Sequence, residues 1–175
     1  MRVFGFAGWS GSGKTTLIEQ VIPRLVRRGL RVSLIKHAHH HFDVDQPGKD
    51  SYRHRHAGCG EVLITSGERW ALMHELRGAP ELTLEHTLAR LSPCDLVLIE
   101  GYKAAPIPKL EIWRAAAGKP LLYPGDPHII AIATDAPDRL PDPRPGRAFA
   151  VLALDDLEAI ASLAVDRAWT MPLDD

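Results

Sequence analysis

Residues Val3 to Ala7 form a short apolar run, and beyond a polar glycine-rich stretch the apolar positions Leu17, Ile18, Val21, Ile22, Leu25 and Val26 recur three or four residues apart. A run followed by helical spacing predicts a buried strand, a loop and an amphipathic helix. Gly29 is expected to stop that helix behind Arg27 and Arg28, cations suited to a carboxyl end, while Pro23 inside the pattern is expected to kink it. Arg31 to Lys36 reads as the next strand, which makes a β-α-β unit with parallel strands.

From His37 to Lys49 the chain is polar and aperiodic, with Pro47-Gly48 as a turn signal. Asp50 is expected to cap a short helix through Ala57, and Glu61 to Ser66 and Arg69 to Leu76 read as two strands of an antiparallel hairpin turning at Gly67. Thr83 to Leu91 is a helix candidate. Asp95-Leu96-Val97-Leu98-Ile99-Glu100-Gly101 is a continuous apolar run between acidic residues, the pattern of a central strand buried on both faces. Lys109 to Arg114 and His128 to Thr134 add two strands, and Pro137, Pro141, Pro143 and Pro145 stiffen a surface loop. A last strand near Phe149 to Leu152 leads to a closing helix. Its apolar face carries Leu157, Ile160, Ala161, Ala164 and Ala168, and Asp155 with Glu158 is expected to cap it.

The 175 residues, 45% hydrophobic and 25% charged, suit one globular domain spanning 1–175. Lysine plus arginine (21) nearly balances aspartate plus glutamate (22), so bulk charge points to neither nucleic acid nor a membrane surface. No stretch approaches the roughly 20 apolar residues of a spanning helix, and a cytoplasmic protein is expected. Cys59 and Cys94 lie in no close-spaced ligand pair and are expected to be buried thiols.

Chemistry concentrates in Gly8-Trp9-Ser10-Gly11-Ser12-Gly13-Lys14-Thr15-Thr16, which satisfies G-x-x-x-x-G-K-[ST] between a strand and a helix. Glycines at 8, 11 and 13 allow successive backbone N–H groups to face phosphate oxygens, and the helix adds its positive end. Lys14 is expected to reach the β and γ phosphates, and Thr15 to offer its hydroxyl to Mg²⁺. Glu100, at the carboxyl end of the buried strand, is the expected second metal anchor, with Asp95 at the opposite end. Asp135 follows another apolar strand at the same edge. A carboxylate there can accept the N1–H and N2–H of guanine together, or it can serve a turn or helix cap.

His37-Ala38-His39-His40-His41 suits either a transition metal or a polar loop over the phosphate region, with Lys36 or His37 near the ligand. Asp43, Asp45, Lys49, Asp50, Tyr52, Arg53 and Arg55 make a mixed-charge patch, readable as a solvated face or as a recognition surface for a polyanion or a protein.

Five blocks, GWSGSGKTTL, LIKHAHHHFDVDQPGKDSYRHRHAG, RWALM, LVLIEGYK and IIAIATD, resemble in order those of the molybdopterin-guanine dinucleotide biosynthesis adapter proteins, the MobB family, over Phe4 to Asp135. The resemblance implies an α/β, three-layer P-loop NTPase fold whose sheet is mostly parallel with an antiparallel hairpin extension. It further implies GTP and Mg²⁺ binding, weak GTP hydrolysis, a homodimer, and association with the guanylyltransferase that attaches GMP to molybdopterin. On that basis Gly11, Ser12, Gly13, Lys14, Thr15 and Thr16 match the phosphate loop, Glu100 a second acidic motif and Asp135 the end of a later strand. Asp45 to Ser51 falls at the mouth of the nucleotide or pterin site, which makes molybdopterin a candidate ligand. The expected function is therefore a GTP-binding adapter. A metal-insertion GTPase using the histidine run, or a small-molecule kinase with Asp45 or Asp50 as base, stand as alternatives, and no catalytic residue is assigned.

Overall fold

The computed structural model describes residues 1–38, 42–141 and 148–170. They fall into two compact units, Met1–His37 with Leu84–Asp175, and Ala38–Thr83.

The larger unit is built on a sheet in the order β2-β5-β1-β6-β7-β8. Its strands are β1 (Arg2–Ala7), β2 (Val32–Lys36), β5 (Leu96–Glu100), β6 (Lys109–Trp113), β7 (Ile129–Thr134) and β8 (Ala150–Ala153). Every pairing along that path is parallel. A parallel sheet needs cover on both faces, and strand alternation supplies it. Phe4 and Phe6 of β1, with Leu96 and Leu98 of β5, join Leu17, Ile18, Val21 and Leu25 of α1 (Lys14–Arg27) and Ile160, Ala161 and Ala164 of α4 (Leu157–Asp166). Val3, Val97 and Ile99 point the other way, onto Leu84 and Leu88 of α3 (Leu84–Leu88) and onto Ile35 and Ile107. All five residues of β5 are buried, as its unbroken apolar run requires.

Several local expectations need correction. The cap of α4 is Asp156, whose Oδ1 accepts from Ala159 N at 3.0 Å, rather than the Asp155–Glu158 pair. Glu158 is instead drawn to Arg24 at 3.2 Å and Arg28 at 2.7 Å, pairs that tie α1 to α4. Pro23 lies inside helix α1, where the apolar pattern placed it. Cys59 is exposed and Cys94 only partly buried, so the thiols are not both in the core. A strand absent from the sequence reading, β9 (Trp169–Thr170), pairs antiparallel with β1 at Arg2 and Val3; two residues carry no period to read.

The smaller unit holds α2 (Asp50–His56) packed on a two-stranded antiparallel sheet of β3 (Glu61–Thr65) and β4 (Trp70–His74). Lys49, not Asp50, is the residue preceding the first turn of α2; Asp50 lies inside it and accepts from Ser51 N at 2.9 Å. No residue of α2 is buried, and a cluster of ion pairs ties it to its neighbours. The Arg55 side chain, 11% exposed, reaches Glu75 at 2.6 Å, Asp43 at 2.8 Å and Asp45 at 3.3 Å. One hairpin face carries Leu63, Leu72, Thr65 and Trp70, of which Leu63 (60%), Trp70 (66%) and Leu72 (47%) are well exposed. No helix among the described residues is long and apolar enough to cross a membrane.

Candidate phosphate and nucleotide site

Three glycines, all at positive φ, shape the loop between β1 and α1. A Cβ on Gly8, whose φ is 147°, would lie 2.6 Å from Ile112 O and 2.7 Å from Ser12 Oγ. Gly13 holds the left-handed conformation, φ 91°, at the head of α1, with no side-chain cap and no acidic residue in the first turn. The unsatisfied N–H groups and the positive helix end are thereby left for an anion. Ser12 is buried, and its Oγ has no hydrogen-bond partner among the described residues. A buried hydroxyl without a partner is costly unless a ligand completes it, so the loop fits a phosphate on its own geometry.

Lys14 Nζ donates to Gly8 O at 2.9 Å and to Trp9 O at 2.8 Å, so the ammonium rests on the loop it would serve. Burial pushes its pKa down from 10.5; Glu100 opposes that, and Lys103 and Lys36 add to it. Thr15 Oγ1 donates to Glu100 Oε1 at 2.9 Å, and Lys36 Nζ stands 3.7 Å from Glu100 Oε2. The parallel register explains both contacts, because β5 lies between β1 and β2 and places Glu100 opposite Phe6 and Lys36. Only 7% of Glu100 is exposed. A hydroxyl and a carboxylate side by side form an oxygen-only donor set, the kind that suits Mg²⁺ rather than a softer ion. Thr16 is exposed on the first turn of α1, and Asp95 sits at the other end of β5, bound by Arg31 N at 2.8 Å.

Asp135 ends β7. Its carboxylate accepts from Ala115 N at 3.3 Å and from Arg114 Nη1 at 3.4 Å, long bonds that leave acceptor capacity. Beyond the carboxyl ends of β7 and β8 lies a cavity of about 680 Å³, lined by Gln20, Arg114, Thr134, Asp135, Leu152 and Asp155 among others. Ligands of open α/β sheets collect at this edge. Arg114 was not singled out in the sequence, yet its Nε lies 3.4 Å from where a Gly13 Cβ would stand, so one guanidinium borders both the phosphate loop and the cavity. Nothing in the Trp113-Arg114 dipeptide signals this, since it depends on β6 lying beside β1.

In the smaller unit the mixed-charge patch is an organised cluster around Arg55. Burial alone would raise the Asp45 carboxyl, but hydrogen bonds from Ser51, Gln46 and Arg55 outweigh it and hold the group below the usual carboxylate range. A carboxylate so occupied is a poor proton acceptor, which counts against a kinase using Asp45 as base. His39, His40 and His41 lie outside the described residues, and among the described residues no group of three His, Cys, Asp or Glu side chains could hold a metal.

A parallel sheet of this order with a glycine-rich loop opening its first helix defines a protein of the P-loop NTPase fold class. The family model for molybdopterin guanine dinucleotide synthesis protein B, MobB, matches residues 3–135, and the chain belongs to that family. It is 43% identical over 167 residues to the molybdopterin-guanine dinucleotide biosynthesis adapter protein of Escherichia coli K12, covering 94% of this chain and 91% of that one. The adapter protein of Haemophilus influenzae is 44% identical over 135 residues, 77% of this chain and 75% of the relative. Among solved structures, a crystal structure of molybdopterin-guanine biosynthesis protein B superimposes with a TM-score of 0.71 at 26% identity, covering 94% of this chain and 98% of the other. The Bacillus subtilis MobB structure, at 23% identity and a TM-score of 0.73, supports the fold, covering 98% of this chain and 100% of that one.

Proposed function

We propose that this chain is a GTP-binding adapter in molybdopterin guanine dinucleotide synthesis, holding GTP with Mg²⁺ for a partner guanylyltransferase and hydrolysing it slowly at most. The observation that carries the reading is the contact of Thr15 with Glu100 at 2.9 Å beside a glycine loop whose buried Ser12 hydroxyl awaits a partner. Bound Mg²⁺ would offset phosphate charge, and Thr15 with Glu100 would hold it. Gly11, Ser12, Gly13, Lys14, Thr15 and Thr16 would surround the phosphates. The names borne by the relatives, all adapters of this biosynthesis, support the pathway.

Guanine selection is assigned to Asp135, which borders the cavity with lone pairs to spare. Asp135→Asn exchanges one acceptor for a donor, and is expected to lower GTP affinity roughly tenfold while leaving ATP binding unchanged. Competition titrations with GTP, inosine triphosphate and ATP measure this. A GTP preference identical to wild type removes Asp135 from base recognition.

The hairpin supports a homodimer. Leu63, Leu72 and Trp70 lie together on one exposed face of a two-stranded sheet, an arrangement that a second copy can cover by presenting the same face about a twofold axis. Leu63→Glu with Trp70→Glu should shift the protein to monomer in sedimentation velocity runs without loss of GTP binding. A double variant that still sediments as a dimer excludes this face.

A further inference from the structure

We propose that Lys103 is a second polyphosphate-binding lysine, delivered to the mouth of the phosphate loop by a turn that the buried Lys109 locks in place. The proposal rests on the nucleotide reading above and names a determinant of triphosphate over diphosphate preference that the phosphate-loop motif does not contain.

The turn begins where Glu100 ends. Gly101 has φ 101° and Tyr102, not a glycine, has φ 45°, so two successive residues take the left-handed side of backbone space. For a tyrosine that conformation is uncommon and is kept only where the surroundings enforce it. The surroundings here are close: a Cβ on Gly101 would stand 2.8 Å from His37 Cβ, and Tyr102 Oη lies 3.1 Å from Thr87 Oγ1. The reversal puts Lys103 Nζ 4.7 Å from the centroid of the Trp9 ring. Trp9 belongs to the phosphate loop, and its indole N–H is pinned to Pro120 O at 2.7 Å.

Lys109 holds this arrangement from below. It is 1% exposed, and its ammonium donates to Lys103 O at 2.7 Å and Ala105 O at 2.9 Å while pairing with Asp126 at 2.6 Å. Ammonium burial is costly without such full satisfaction, and here the satisfied partners are the carbonyls of the turn. Gly5 leaves the space for its stem: a Cβ there would meet Lys109 Cγ at 2.5 Å. The core of the sheet next to the phosphate strand thus gives up an apolar position to fix a surface turn.

The exposed Lys103 ammonium, held over a ring and by no carboxylate among the described residues, can leave at small cost. Lys14 Nζ donates to the backbone of the same Trp9 whose ring Lys103 covers, and Lys36 Nζ stands 3.7 Å from Glu100 Oε2. Three ammonium groups and one carboxylate at the loop make an excess of positive charge, and a β,γ-diphosphate end of a nucleotide is the ligand class that would neutralise it.

The test compares dissociation constants for GTP, GDP and GMP in the full-length protein with wild type, Lys103→Met, Lys103→Arg, Lys109→Met and Asp126→Asn. Lys103→Met should weaken GTP roughly tenfold, GDP less and GMP not at all, with Lys103→Arg restoring most of the loss. Lys109→Met should reproduce the fall in the GTP-to-GDP ratio without touching ligand. Asp126→Asn, which keeps an acceptor, should show the same change more weakly and serves where Lys109→Met does not fold. Unchanged GTP affinity in Lys103→Met, or an equal loss for all three nucleotides, overturns the role of Lys103. A wild-type ratio in folded Lys109→Met, or in Asp126→Asn if Lys109→Met is unfolded, overturns the lock. Wild-type protein that binds none of the three sinks the nucleotide reading together with this one, whereas binding by wild type with no effect of Lys103→Met sinks this one alone.

Discussion

Lys14→Ala is expected to weaken GTP binding by about a hundredfold or more, because it removes a cation placed for two charge-assisted contacts with phosphate. The fold should survive. Among the described residues Lys14 Nζ bonds only to the carbonyls of Gly8 and Trp9, which lie in the loop itself, and the burial of Leu17 and Ile18 one turn further on does not depend on it. Isothermal titration with GTP, beside a thermal melt within a few degrees of wild type, measures both halves. A variant that binds GTP normally would refute the phosphate-loop assignment. The titration of Lys14 adds a pH signature. Burial, with Lys103 and Lys36 nearby, sets the ammonium below its ordinary 10.5, and a bound phosphate would raise it again. GTP binding should therefore take up protons at alkaline pH. Affinity should be full below the lowered pKa of the free protein and fall as pH rises through the raised pKa of the complex. The proton uptake should vanish in Lys14→Ala.

Glu100→Gln is expected to separate metal binding from nucleotide binding. The amide oxygen can still accept from Thr15 Oγ1, and Lys36, more than half exposed, loses its partner at little cost to the fold. Without the carboxylate the tightening of GTP binding by Mg²⁺ should drop by roughly tenfold or more, whereas binding in EDTA should improve, since one negative charge near the phosphates is gone. Titrations with and without Mg²⁺ distinguish this from general damage, which would weaken both. Full retention of the Mg²⁺ effect would show that Glu100 is not the metal anchor.

Much of this site was legible in order along the chain. The strand, glycine loop and helix around Lys14 follow from short-range sterics and periodicity, and the buried run before Glu100 announced a central strand ending in an acid. Glu100 could be named because a parallel strand buried on both faces must end at the edge where ligands gather. Asp135 was named in the same way and does border a cavity, although its bonds to Arg114 and Ala115 also serve the turn. Reading by nearest charge worked less well. The cap of α4 fell to Asp156 because Glu158 had arginines of α1 to meet, and the exposure of Cys59 reflects a small unit with little interior.

The sequence by itself determined most of the elements and the glycine-rich loop between β1 and α1, because the left-handed turn at Gly13 and the helical spacing after it are decided by neighbours a few residues away. Only the tertiary structure decided who else stands at the loop. Arg114 reaches Gly13 because β6 lies beside β1, Lys36 meets Glu100 because β2 and β5 are in register, and Lys103 reaches Trp9 because Lys109 holds its turn. Arg55 likewise gathers Asp43 and Asp45 from one loop and Glu75 from beyond β4. Most of these are contacts between residues far apart along the chain, set by which strands pair and how the chain packs rather than by any local pattern.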